Sequence, residues 1–129
     1  ERVVRARAGD SWLATEDFAE TVRHLRQAIQ IPGAAHSTLE YQRWAVRSQL
    51  RAEGRRFMQA MKRPLDIPML HLRGAADPYV LADSVRRTAP FVSRGQFVSI
   101  PGTGHFAHEE TPGQVNAELT RFLGEVYPG

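Results

Sequence analysis

The chain has 129 residues, a formal net charge of +3 and no cysteine. Apolar residues at 42% and charged residues at 24% are the balance of a folded globular chain, which excludes a disordered one. The lack of cysteine excludes disulfides, thiolate catalysis and cysteine-ligated metal.

The first half reads as helices. Thr15 is a candidate N-cap, followed by Glu16 and Asp17 where carboxylates favour the helix dipole, with Phe18, Val22, Leu25 and Ile29 on one face. Pro32-Gly33 ends that helix. Ser37 or Thr38 begins a second one carrying Leu39, Tyr41, Trp44 and Leu50. A third, near Glu53 to Met61, presents Phe57, Met58 and Met61 and stops at Arg63-Pro64, because proline restricts its predecessor and lacks a donor. The arginines between 23 and 56 recur at helical spacings beside apolar residues. That is the pattern of solvated helix faces, so no nucleic-acid partner is expected.

After Pro64 the character changes. Ile67 to Leu72 is a short apolar run before Gly74 and reads as a buried parallel strand, with Pro68 tolerable at its start. Val80 to Thr88 is a predicted helix. Gln96 to Ile100 is a second strand, closed by Pro101-Gly102. Thr111-Pro112-Gly113-Gln114 predicts a helix start with a capping box, followed by a stripe of Val115, Leu119, Phe122, Leu123 and Val126. The fold class is therefore α/β, helices followed by strand, helix, strand and helix, as at the end of an open parallel sheet. Two parallel strands cannot cover their own edges, so further strands are expected to complete the sheet.

Functional loops leave the carboxyl ends of parallel strands. Asp77 follows the first strand and His105 the second, so both open at one rim. A carboxylate accepting from one imidazole nitrogen fixes the tautomer and leaves the other nitrogen to act as a base. The bland alternative is that Asp77 caps a turn and His105 is an ordinary loop histidine.

Two stretches carry a resemblance. Leu70-His71-Leu72-Arg73-Gly74-Ala75-Ala76-Asp77-Pro78 resembles the triad-acid loop of the α/β-hydrolases. Ile100-Pro101-Gly102-Thr103-Gly104-His105-Phe106 resembles their triad-histidine loop. The acid-before-histidine order also agrees with that superfamily. His105-Phe106-Ala107-His108-Glu109-Glu110 and Pro112 are similar to the epoxide hydrolases and haloalkane dehalogenases. The resemblance implies that residues 1–63 are part of a helical cap and residues 64–129 the C-terminal part of the hydrolase core. It implies Asp77 as triad acid, His105 as base, and Tyr41, Trp44 and Phe106 as substrate-facing. The family tyrosine directly precedes an arginine. Here Gln42 holds that place and Tyr41 stands one residue earlier, which keeps an esterase-like activity open.

The nucleophile is missing. No serine or aspartate has the flanking glycines of a nucleophile elbow. The expectation is an epoxide hydrolase-like enzyme for small apolar substrates, completed by an N-terminal hydrolase segment or a complementary chain. The alternatives are a carboxylesterase-like serine hydrolase and a non-catalytic truncated hydrolase that serves as an interaction module. No organic cofactor and no metal is expected, since Gly102-Thr103-Gly104 is too short for a phosphate loop and His105 with His108 lacks further converging ligands. No apolar run approaches the ~20 residues of a membrane span. Glu1 to Arg5 has no signal-peptide form, so no membrane partner and a cytoplasmic location are expected.

Overall fold

The computed structural model describes residues 1–128. A short helix α1 (Arg2–Arg5) leads into an irregular segment and then α2 (Glu16–Ile29), α3 (Ala34–Gln49) and α4 (Ala52–Ala60). Strand β1 (Leu65–Gly74), helix α5 (Ala82–Thr88), a 3-10 turn (Ala89–Phe91), strand β2 (Val92–Ile100), helix α6 (Ala107–Glu110) and helix α7 (Pro112–Val126) complete the order.

Thr15 caps α2 as its sequence predicts, its hydroxyl oxygen accepting the Phe18 N–H at 3.2 Å. The α2 face buries only Phe18 and Val22, while Leu25 and Ile29 are exposed. Phe18 and Val22 pack with Trp12, a residue the periodicity does not single out, into a small core that also touches Val4, Leu13 and Phe106.

Helix α3 begins at Ala34, earlier than the expected Ser37 or Thr38. Gly33 takes a left-handed φ of 85° and its carbonyl accepts the Ser37 N–H, so the helix is entered by backbone geometry rather than by a side-chain cap. Helix α5 starts at Ala82 rather than Val80, because Leu81 is extended at φ −72° and ψ 151°. The capping box expected at Thr111 does not form. Thr111 lies at φ −140° and ψ 59°, and its hydroxyl donates back to the Ala107 carbonyl of α6, a helix not anticipated from the sequence.

β1 and β2 pair in parallel, as expected, and form a two-stranded open sheet. Both strands are longer than the apolar runs that announce them. The register runs from Leu65 opposite Val92 to Gly74 opposite Ile100, with one irregularity before Pro68, where the ring removes a ladder donor. Because Gly74 faces Ile100, the two strands end at the same level. The loops bearing Asp77 and His105 therefore leave one rim.

Candidate active site

The two loops are stitched together before any side chain is considered. Ala75 N–H donates to the Ile100 carbonyl at 2.8 Å, and Ala76 N–H donates to the Thr103 carbonyl at 2.9 Å. Gly74 makes this possible, since a methyl group there would collide with the backbone of Thr103 and Gly104. Gly102 turns the second loop at φ 67°, a conformation that favours glycine. Thr103 is completely buried in the junction.

Asp77 is buried, with 6% of its surface exposed. Its Oδ1 accepts the N–H groups of Tyr79 at 2.8 Å and Val80 at 3.1 Å, closing the turn after β1. Its Oδ2 lies 3.0 Å from His105 Nδ1. The same carboxyl therefore closes a turn and holds an imidazole. Burial works against the ionised carboxyl. The Tyr79 amide, the His105 ring and the Val80 amide outweigh it and hold the carboxyl below its ordinary value. An ionised carboxylate only accepts, so Nδ1 carries the shared proton and Nε2 is left with a free lone pair.

The His105 ring is partly exposed and edged by two aromatics, Tyr79 with centroids at 5.6 Å and Phe106 at 5.3 Å. Arg7 places its guanidinium 4.6 Å from the Tyr79 ring centre, and its carbonyl accepts the His105 N–H at 2.7 Å. The segment around Arg7 to Gly9 thus straps the histidine loop, a role with no signal in the local sequence. Glu110 joins that strap to the loop. Its Oε2 accepts the N–H groups of Gly104 at 2.7 Å and Gly9 at 2.9 Å, and its Oε1 accepts that of Phe106 at 3.1 Å. Gly9, 101 residues away, lies beyond the reach of any local motif.

Beside the Asp77–His105 pair is a depression of about 220 Å³ lined by His71, Val80, His105, His108 and Val115 among others. Another, of about 340 Å³, lies by Glu1, Arg5, Phe18 and Arg26, and no histidine lines it. Tyr41 and Trp44 lie on α3, 72% and 58% exposed, and line neither depression. Phe106 stands edge-on to His105 and also packs against Trp12, with centroids at 6.1 Å. Among the described residues, no group of three or more His, Asp and Glu side chains is placed to hold a metal ion. No helix among them is long and apolar enough to cross a membrane.

No protein-family profile matches the chain. Over 61 residues, 46% of this chain, it is 38% identical to Epoxide hydrolase A of Mycobacterium tuberculosis (strain ATCC 25618 / H37Rv), and the match covers 19% of that protein. A solved serine hydrolase involved in carbazole degradation, the CarC enzyme, shares the fold with a TM-score of 0.70 at 19% sequence identity. The likeness covers 96% of this chain and 45% of the CarC chain. The chain accordingly shares the α/β fold of part of that solved hydrolase, of which it spans less than half.

Proposed function

We propose that the chain supplies the histidine base and its orienting acid to a hydrolase of the epoxide-hydrolase kind. The nucleophile would come from a further segment or a second chain. The observation that carries this reading is the 3.0 Å contact between His105 Nδ1 and the buried Asp77 carboxylate at the rim of the parallel strands. The identity with Epoxide hydrolase A supports the choice of substrate class.

In this reading, a carboxylate from outside the chain attacks an epoxide carbon. The carbon–oxygen bond of the ring breaks and an ester forms, while a cap tyrosine gives a proton to the opening oxygen; Tyr41 is the candidate only in the assembled hydrolase, since it is exposed on α3 in this chain. Water then attacks the ester carbonyl and gives its proton to His105 Nε2, the diol leaves as the carboxylate is restored, and the imidazolium proton returns to the tyrosine phenolate. Asp77 holds the imidazole in register and steadies its positive charge. Residues 1–63 form part of a cap over the site. Trp44 and Phe106 contribute apolar wall to a pocket for small apolar substrates, once the remaining segment closes it.

His105→Ala in the assembled hydrolase should lower epoxide turnover about 10²–10⁴-fold. It should also leave the ester intermediate trapped, visible by mass spectrometry as the nucleophile-bearing segment plus one substrate. Near-normal turnover would remove His105 as the base. The fold likeness to a serine hydrolase favours one second reading, in which the outside nucleophile is a serine and the substrate an ester. Labelling of that segment by a fluorophosphonate, with no epoxide turnover, would select it.

A further inference from the structure

Three successive amides, those of Gly104, His105 and Phe106, are each held by a specific acceptor, and the reaction outlined above uses none of them. The His105 N–H goes to the Arg7 carbonyl. Its two neighbours go to the two oxygens of one carboxylate, Glu110, which also takes the Gly9 N–H from the strap. We propose that Glu110 is a positioning residue for His105. Its carboxylate clamps the backbone on both sides of the histidine and ties that loop to the Arg7–Gly9 strap, so that the ring meets Asp77 in one orientation. The proposal rests on the reading of His105 as the base.

The choice of a carboxylate follows from the donor count. Three N–H groups converge on it, and an ionised carboxylate offers two oxygens with about four acceptor sites, making charge-assisted bonds. A glutamine offers one oxygen. Its amino group would face either the Phe106 N–H or the pair from Gly9 and Gly104, donor against donor. An aspartate keeps the charge but is one methylene short of reaching both segments. Orientation matters at this point because a misplacement of about 1 Å can cost ~100-fold in rate.

Nuclear magnetic resonance of the 129-residue chain tests this without turnover. In the unsubstituted protein, couplings across the hydrogen bonds should link the Gly104 and Phe106 amide nitrogens to the Glu110 carboxyl carbon. Their absence would overturn the clamp. The low-field proton on His105 Nδ1, identified by its loss in Asp77→Asn, should move or broaden in folded Glu110→Gln and return part of the way in Glu110→Asp. A role confined to stability would lower the folded fraction and leave that signal in place within it. An unmoved Nδ1 signal in Glu110→Gln therefore overturns the proposal. If that variant does not fold, an unmoved signal in Glu110→Asp does so instead. The two readings fail separately. Full turnover in His105→Ala would remove the base yet leave the Glu110 clamp measurable, whereas an unmoved Nδ1 signal beside an inactive His105→Ala would remove Glu110 alone.

Discussion

Around His105, backbone packs directly on backbone. Gly74 lies against Thr103 and Gly104, Thr103 has no exposed surface, and Glu110 gathers amides from two ends of the chain. Helices α3 and α4 are built the other way. Gly54 is their one buried residue, and Tyr41, Trp44, Leu50, Phe57, Met58 and Met61 are all exposed. A few short hydrogen bonds and close glycine contacts can order such a rim with little apolar area. Helices, by contrast, draw most of their stability from burying an apolar face. The rim is therefore self-sufficient in geometry, while α3 and α4 carry apolar surface that the described residues do not cover. The likeness to a solved hydrolase more than twice as long fits that contrast.

The sharpest break of this comparison is Gly74→Ala. The added methyl meets backbone rather than flexible side chains, so the two loops must separate, at an expected cost above about 4 kcal/mol. Denaturant titration measures it, and a loss below about 1 kcal/mol would mean that the loops are not locked together.

Next in size is the acid dependence of the rim. The folded Asp77 carboxyl titrates below its ordinary value, so between the folded and unfolded values the unfolded chain binds more protons and stability rises with pH. The contribution is whole above about pH 4, the unfolded value, and is lost as the pH falls through the folded one. Asp77→Asn should flatten this acid limb, and equal denaturation midpoint shifts between pH 6 and pH 3 in both proteins would contradict the assignment. The smallest effect belongs to the exposed helices. Tyr41→Ala and Trp44→Ala should change the stability of this chain by no more than about 0.5 kcal/mol each. A loss above 1 kcal/mol in thermal melts would show that α3 is covered after all.

Much of the order was legible in the residues. The Thr15 cap, the break at Pro32-Gly33, the parallel strands and the meeting of Asp77 with His105 all follow from interactions within a few residues or from the rule that such loops share a rim. Other features were not. The Thr111 capping box reads correctly in isolation but fails because α6 stands immediately before it and draws the threonine hydroxyl to Ala107. Leu25 and Ile29 continue the stripe of α2 yet find nothing to cover them.

The sequence by itself determined where helices and strands begin to form and which acid and which histidine could pair, because capping, proline and periodicity act over one or two turns of chain. Only the tertiary structure decided that Trp12 seeds the helical core, that Arg7 and Gly9 strap the histidine loop and that Glu110 binds both. The strap contacts, Arg7 to His105 and Gly9 to Glu110, join residues about a hundred positions apart. A backbone amide donates whatever its side chain, and the glycines that the close approach requires at 9 and 104 do not name their partner.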